Sequence, residues 1–138
     1  MFKKILQSFP NSADISSKDL GQQGEAAAAL FLQKKKMRIR DRNWRAEGVL
    51  QGFELDIVAE DQGTLVFVEV KTRASDADIP IYTAFSKQKQ SKVVKAAQLY
   101  LDTTNQWDCP CRFDLICVCG TNHKNFTIEH YEHVIEIR

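Results

Sequence analysis

The chain has 138 residues, 43% of them hydrophobic and 27% charged, which is the size and composition of one globular domain with a real core. That composition excludes a disordered, collagen-like or low-complexity protein, and no apolar run approaches the ~18 residues of a membrane span. With 19 Lys plus Arg against 18 Asp plus Glu the net charge is +1, so total charge does not mark a nucleic-acid binder. The distribution is less even. Seven basic residues and one acid fall between positions 33 and 45, and Lys87, Lys89, Lys92 and Lys95 follow one another with no acid among them. A near-neutral total thus hides basic patches.

Residues 1–15 read as a flexible tail, punctuated by Pro10, Asn11 and Ser12, and residues 16–138 as a single domain. The apolar stretch near the N-terminus is too short for a signal peptide, so a cytoplasmic location is expected. Four cysteines in that compartment are expected to stay reduced. A helix is predicted from Ser16 or Ser17, with Asp19 completing a weak capping box. Leu20, Gly24, Ala27, Ala28, Phe31 and Leu32 recur at helical spacing. Lys34, Lys35 and Lys36 either complement the helix dipole as a solvated end or bind phosphate.

Residues 37–46 alternate loosely around Ile39 and Trp44 and predict a strand. Residues 53–59 predict another, with Phe53, Leu55, Ile57 and Ala59 on one face. After a hairpin turn at 60–63, residues 64–71 are apolar on both faces, the pattern of a strand buried from both sides. A loop from 72 to about 80 leads to a second helix over 86–102. Strands over 112–119 and 125–137 complete an α/β order: a mixed sheet of about five strands flanked by helices.

The informative cluster lies in the hairpin. In a strand, Glu69 and Lys71 share a face with Phe67 and Leu65, and Val70 points away. Charged groups on an apolar stripe need a compensating partner. If Gln62-Gly63 is a two-residue loop, Asp61 pairs with Thr64. Asp56 then lies opposite Glu69, and Glu54 opposite Lys71. Two carboxylates at that range repel unless a proton or cation lies between them. A divalent metal such as Mg²⁺ is one solution; ordinary salt bridges, Glu54 with Lys71 and Asp56 with another cation, are the other. Glu25 stands at the border of the first helix's apolar stripe. Gly21 and Gly24, both costly inside a helix, suggest close packing or a bound group there.

Taken in order, Gly21-Gln22-Gln23-Gly24-Glu25, Asn43, Glu54-Leu55-Asp56 and Phe67-Val68-Glu69-Val70-Lys71-Thr72-Arg73 resemble the YraN-like family of bacterial proteins. The likeness continues through Lys89-Gln90, Ala96-Ala97, Tyr100-Leu101 and Arg112-Phe113-Asp114. That family is regarded as a group of predicted endonucleases of the PD-(D/E)XK superfamily, similar to archaeal Holliday junction resolvases. The resemblance implies a restriction-endonuclease-like core. It also implies Asp56, Glu69 and Lys71 as the acid, acid and lysine of the site, with Glu25 as the helix carboxylate that completes it. The sequence departs from the superfamily in having Leu55 before Asp56, where proline is usual, and in its last residues.

On that basis Asp56, Glu69 and the Val70 carbonyl are expected to hold Mg²⁺ or Mn²⁺, and no organic cofactor is implied. Lys71 would orient water or stabilise the transition state, or act as a base if its pKa were lowered. Arg73, Lys87, Lys89, Lys92 and Lys95 are the candidates for tracking a phosphate backbone. The expected partner is nucleic acid, DNA before RNA, with no membrane and with a homodimer in view because resolvase-like relatives often dimerise. A catalytically silent nucleic-acid adaptor is the alternative.

Cys109-Pro110-Cys111 and Cys117-Val118-Cys119 lack the spacing of a zinc knuckle, and Cys117 and Cys119 fit core packing better. Arg112 and Asp114 read as an ion pair, His130 and His133 as residues on opposite faces, and Trp44 and Trp107 as packing residues.

Overall fold

A computed structural model describes residues 16–48, 53–74, 83 and 85–136. The expected tail, residues 1–15, lies outside them, as does most of the loop after the third strand. The elements in chain order are α1 (Ser17–Lys34), β1 (Arg38–Arg45), β2 (Glu54–Asp61), β3 (Thr64–Arg73), α2 (Lys87–Thr104), β4 (Cys111–Cys119) and β5 (Thr127–Tyr131). The strands form one sheet in the order β1-β2-β3-β4-β5. Only β3 and β4 are parallel, and a parallel pair needs a crossover, which α2 supplies. The mixed five-stranded sheet between helices is the α/β class that the element order predicts.

Local chemistry sets the boundaries. Ser16 caps α1 by accepting the Asp19 N–H at 3.1 Å. At its other end Lys36 is left-handed (φ 73°), the Lys36 N–H donates to the Gln33 carbonyl and the Met37 N–H to the Leu32 carbonyl, a Schellman ending built on lysine instead of glycine. Ser86 caps α2 and Asn105, at φ 57°, ends it. Gln62 and Gly63 both have positive φ, as a type I′ hairpin turn requires, and Asp61 pairs with Thr64.

Each sheet face buries its own core. Ala28, Ala29 and Leu32 of α1 pack on Ile57, Ala59, Val66, Val68 and Ile116. Val93, Ala97, Tyr100 and Leu101 of α2 pack on Leu55, Leu65, Phe67, Phe113 and Leu115. β3 lies at the centre and is apolar on both faces because both are covered. Gly24 is needed for α1 to approach β3: a Cβ there would run into the Thr72 side chain.

Three expectations change. Phe53, Leu55, Ile57 and Ala59 do not share a face. Leu55 and Phe53 belong to the α2 side, Ile57 and Ala59 to the α1 side, so the alternation breaks at Asp56, beside the left-handed Asn43 of β1 (φ 52°). The last strand ends at Tyr131 instead of continuing to 137. His133 turns left-handed (φ 54°) and Val134 and Ile135 fold against the α2-side core. Trp107 is 55% exposed and is no packing residue, whereas Trp44 packs edge-on against Tyr100 at 5.2 Å.

Cys109, Cys111, Cys117 and Cys119 are not joined in disulfides. Cys117 packs at the edge of the α2-side core as expected. Arg112 and Asp114 pair at 3.1 Å. No described helix is long and apolar enough to cross a membrane.

Candidate functional site

The hairpin register predicted from Gln62-Gly63 holds from Asp61–Thr64 to Ile57–Val68. It then gives way. At the next step, where Asp56 faces Glu69, the Asp56 carboxylate accepts the Val70 N–H at 2.9 Å. A side chain thus takes over a backbone donor at the mouth of the β2–β3 pair, and this fixes Asp56 against its neighbour. Glu69 is 8% exposed on the central strand, and the Asp56 and Glu69 carboxyls act on one another.

Two buried carboxylates in contact cannot both ionise freely. Burial, then the charge of Asp56, pushes the Glu69 carboxyl up to about 8, with Lys89 pulling in the opposite direction. Burial likewise raises Asp56, although the Val70 N–H and Glu69 offset part of the rise. Glu25, on α1, is raised by burial and by Asp56, while the Asn43 side chain and Arg42 favour its charged form. Asp56 is therefore felt electrostatically by both Glu69 and Glu25. Glu54 pairs with Arg45 of β1 at 2.9 Å instead of with Lys71. Lys71 is exposed at the end of the acidic strand.

A groove of about 360 Å³ opens beside these groups, lined by Ser17, Gly21, Glu25, Val70, Lys71 and Thr72. Gly21 has no neighbour within 4 Å of where a Cβ would project. Unlike Gly24 it is not needed for helix packing; it keeps this end of the groove wide.

The basic candidates separate. Lys87, Lys92 and Lys95 of α2 are exposed. Lys87 and Lys95 line a shallow groove between α2 and Ile135 and Glu136. Arg73, half-buried at the end of β3, acts on the Cys117 thiol. Lys89 turns inward, its Nζ 3.3 Å from Glu69 Oε2. Sequence reasoning placed Lys89 on a phosphate stripe and missed this contact. A signal was available: a lysine in the first turn of a helix opposes the dipole, so a carboxylate nearby was to be expected. The Asn43 contact with Glu25 was also missed. Of the earlier basic run, Arg38 and Arg40 pair with Glu60, and Lys35 lies over the Phe31 ring and reaches His130.

Among the described residues no three His, Cys, Asp or Glu side chains converge as a full metal cage. Asp56 and Glu69 nonetheless offer hard oxygen donors whose mutual repulsion a cation would relieve. That fits a cation such as Mg²⁺, which keeps several waters and takes only one or two protein carboxylates.

The fold and its buried carboxylate pair define a small α/β protein with an acidic site at the open end of a hairpin in a mixed sheet. The chain belongs to the Uncharacterised protein family UPF0102, whose match spans residues 24–118; the YraN-like resemblance holds at that level. A UPF0102 protein of Lawsonia intracellularis is 43% identical over 122 residues, covering 88% of this chain and 89% of that protein. One from Geotalea uraniireducens is 38% identical over 121 residues, covering 88% and 92%. One from Oleidesulfovibrio alaskensis is 48% identical over 98 residues and is longer, this chain matching 46% of its length.

Proposed function

We propose that the protein is a metal-dependent nuclease that hydrolyses phosphodiester bonds, with DNA as the first substrate to test and branched DNA as the favoured shape. The observation that carries this reading is the Asp56–Glu69 pair, two buried acids whose charges raise one another's cost, with Glu25, which senses the Asp56 charge, and Lys71 lining a neighbouring groove. Carboxyls perturbed by burial and by a like charge are the arrangement that active sites use to tune acids and bases. The PD-(D/E)XK resemblance assigns the same residues.

Asp56, Glu69 and the Val70 carbonyl would hold Mg²⁺ or Mn²⁺, which when bound supplies Lewis-acid stabilisation of the phosphate and a more acidic water. The chain's own groups do the rest. The Val70 N–H holds the Asp56 carboxylate in place. Glu25, steadied by Asn43, orients the attacking water. Lys71 places a positive charge beside the phosphate as negative charge builds on its oxygens. The water oxygen bonds to phosphorus and releases a proton to solvent, the bond to the leaving oxygen breaks, and that oxygen takes up a proton from solvent. Lys87, Lys92, Lys95 and Arg73 supply charge for the backbone. A homodimer would provide two symmetric cuts in a junction, and sedimentation with and without DNA measures that.

A non-cleaving adaptor is the second reading. It is favoured by the lack, among the described residues, of a third side chain closing the cage. A cleavage assay with Mg²⁺ and Mn²⁺ on duplex, single-stranded, flap, junction and RNA substrates separates the two. Metal-dependent cutting lost in Asp56→Ala and Lys71→Ala is the result expected. Salt-sensitive binding with no cleavage on any substrate would leave the adaptor.

A further inference from the structure

Lys89 occupies an unusual place. Its side chain is 39% exposed, whereas the Glu69 side chain it pairs with is only 10% exposed, so the ammonium lies on the solvent side of the acid pair. It stands in the first turn of α2, with Lys87 beside it and no acid in that turn. The helix dipole alone would repel it, and Glu69 is what draws it inward. A lysine ammonium is a compact charge on a flexible four-carbon stem, able to change partners without moving the helix. Ser86 caps that helix and Gln90 donates to the Phe85 carbonyl at 3.0 Å, so the start of the helix is anchored independently of the Lys89 side chain.

We propose that Lys89 is a positioning residue that exchanges partners: it balances the acid pair while no divalent cation is present, and is released to a substrate phosphate when one binds. The inference rests on the nuclease reading of the same site. A cation between Asp56 and Glu69 meets their charge and repels the neighbouring ammonium, which then has the rim of the site as its nearest anionic destination. Occupancy of the acid pair and grip on the nucleic acid are thereby coupled, and the coupling is reciprocal.

The test uses fluorescence anisotropy with a labelled DNA junction at fixed ionic strength, with and without Ca²⁺, a cation chosen to occupy the site with little or no turnover. Wild type, Lys89→Gln and Lys89→Arg are compared. The expected result is equal affinity of wild type and Lys89→Gln without Ca²⁺, and about tenfold weaker binding by Lys89→Gln with it, the size of one charge-assisted contact. Lys89→Arg, which keeps the charge, should follow wild type. Weakening of Lys89→Gln by the same factor in both conditions would make Lys89 a constant phosphate contact and overturn the exchange. No weakening in either would make it only a brace for Glu69, which also overturns it. If wild type gains nothing from Ca²⁺ and does not bind the junction, the nuclease reading itself fails.

Discussion

Asp114 and Glu69 are the two buried charged residues among those described, and they are treated in opposite ways. Asp114 is fully covered on the α1 side of the sheet. It accepts from Arg112 at 3.1 Å, from the His130 Nε2–H at 2.8 Å and from the His133 backbone N–H at 3.2 Å. The Lys35 ammonium donates to His130 Nδ1 at 2.8 Å, which leaves the ring proton on Nε2, facing Asp114. Burial by itself would raise the Asp114 carboxyl, but His130, Arg112 and the His133 N–H hold it below the usual range. Glu69, one strand away, meets a second carboxylate and one half-exposed ammonium, and is pushed up to about 8. The same sheet thus builds one carboxylate whose charge is fully compensated and one so poorly compensated that it holds its proton up to about pH 8. The first is a device of stability; the second is the place where we propose that a cation binds.

Removing the compensated charge should have the largest effect. Asp114→Ala strands Arg112 and His130 in the interior and is expected to cost about 3 kcal/mol or more, read by urea unfolding. The double change Asp56→Asn with Glu69→Gln should leave stability at pH 8 unchanged or raised, since it removes a repulsion. A large loss there would abolish the distinction between the two acids.

pH sharpens the contrast. The folded pKa of Glu69, about 8, lies above its ordinary 4.5, so its contribution is full below that lower value and is lost as pH rises through the higher one. Glu69→Gln is therefore expected to match wild type in melting temperature below pH 4.5 and to exceed it at pH 8. Asp114, depressed below its ordinary 3.8, gives stability that is present above that value and lost as pH falls through its lowered pKa. A wild-type melting temperature that climbs steadily from pH 5 to pH 8 beyond that of Glu69→Gln would contradict the assignment.

The two glycines of α1 offer a smaller contrast. Gly24→Ala forces a Cβ into Thr72 and should cost ~1–3 kcal/mol as an overpacked contact. Gly21→Ala meets open space and should gain up to about 1 kcal/mol from helix propensity, while narrowing the groove beside Glu25. Smallest of all, Arg45→Ala breaks an exposed pair with Glu54 and should stay within ~0.5 kcal/mol.

Much of this was legible in the sequence where one local rule decides. Gln62-Gly63 dictated the turn, and the turn dictated the register as far as Ile57 and Val68, which leads to Asp56 and Glu69 at its end. The two-sided apolar run of β3 announced its central place. What stayed hidden depends on the packing of distant segments. The change of face at Asp56 follows from a left-handed Asn43 in the neighbouring strand, which no period-two pattern signals. The inward turn of Lys89 requires knowing that α2 begins over the end of β3. The pairing of His130 with Asp114 needs the β4–β5 register, and the early end of β5 is set at His133, where alternation alone predicts that the strand continues.

The central claim is the proposal that the Asp56–Glu69 pair receives a divalent cation in place of the proton that burial and repulsion hold there. Calorimetric titration of the metal-free protein with Mn²⁺, beside the Asp56→Ala, Glu69→Ala double variant, tests it most directly. The account predicts one binding event in wild type that disappears in the double variant. Equal Mn²⁺ affinity in both proteins would contradict it.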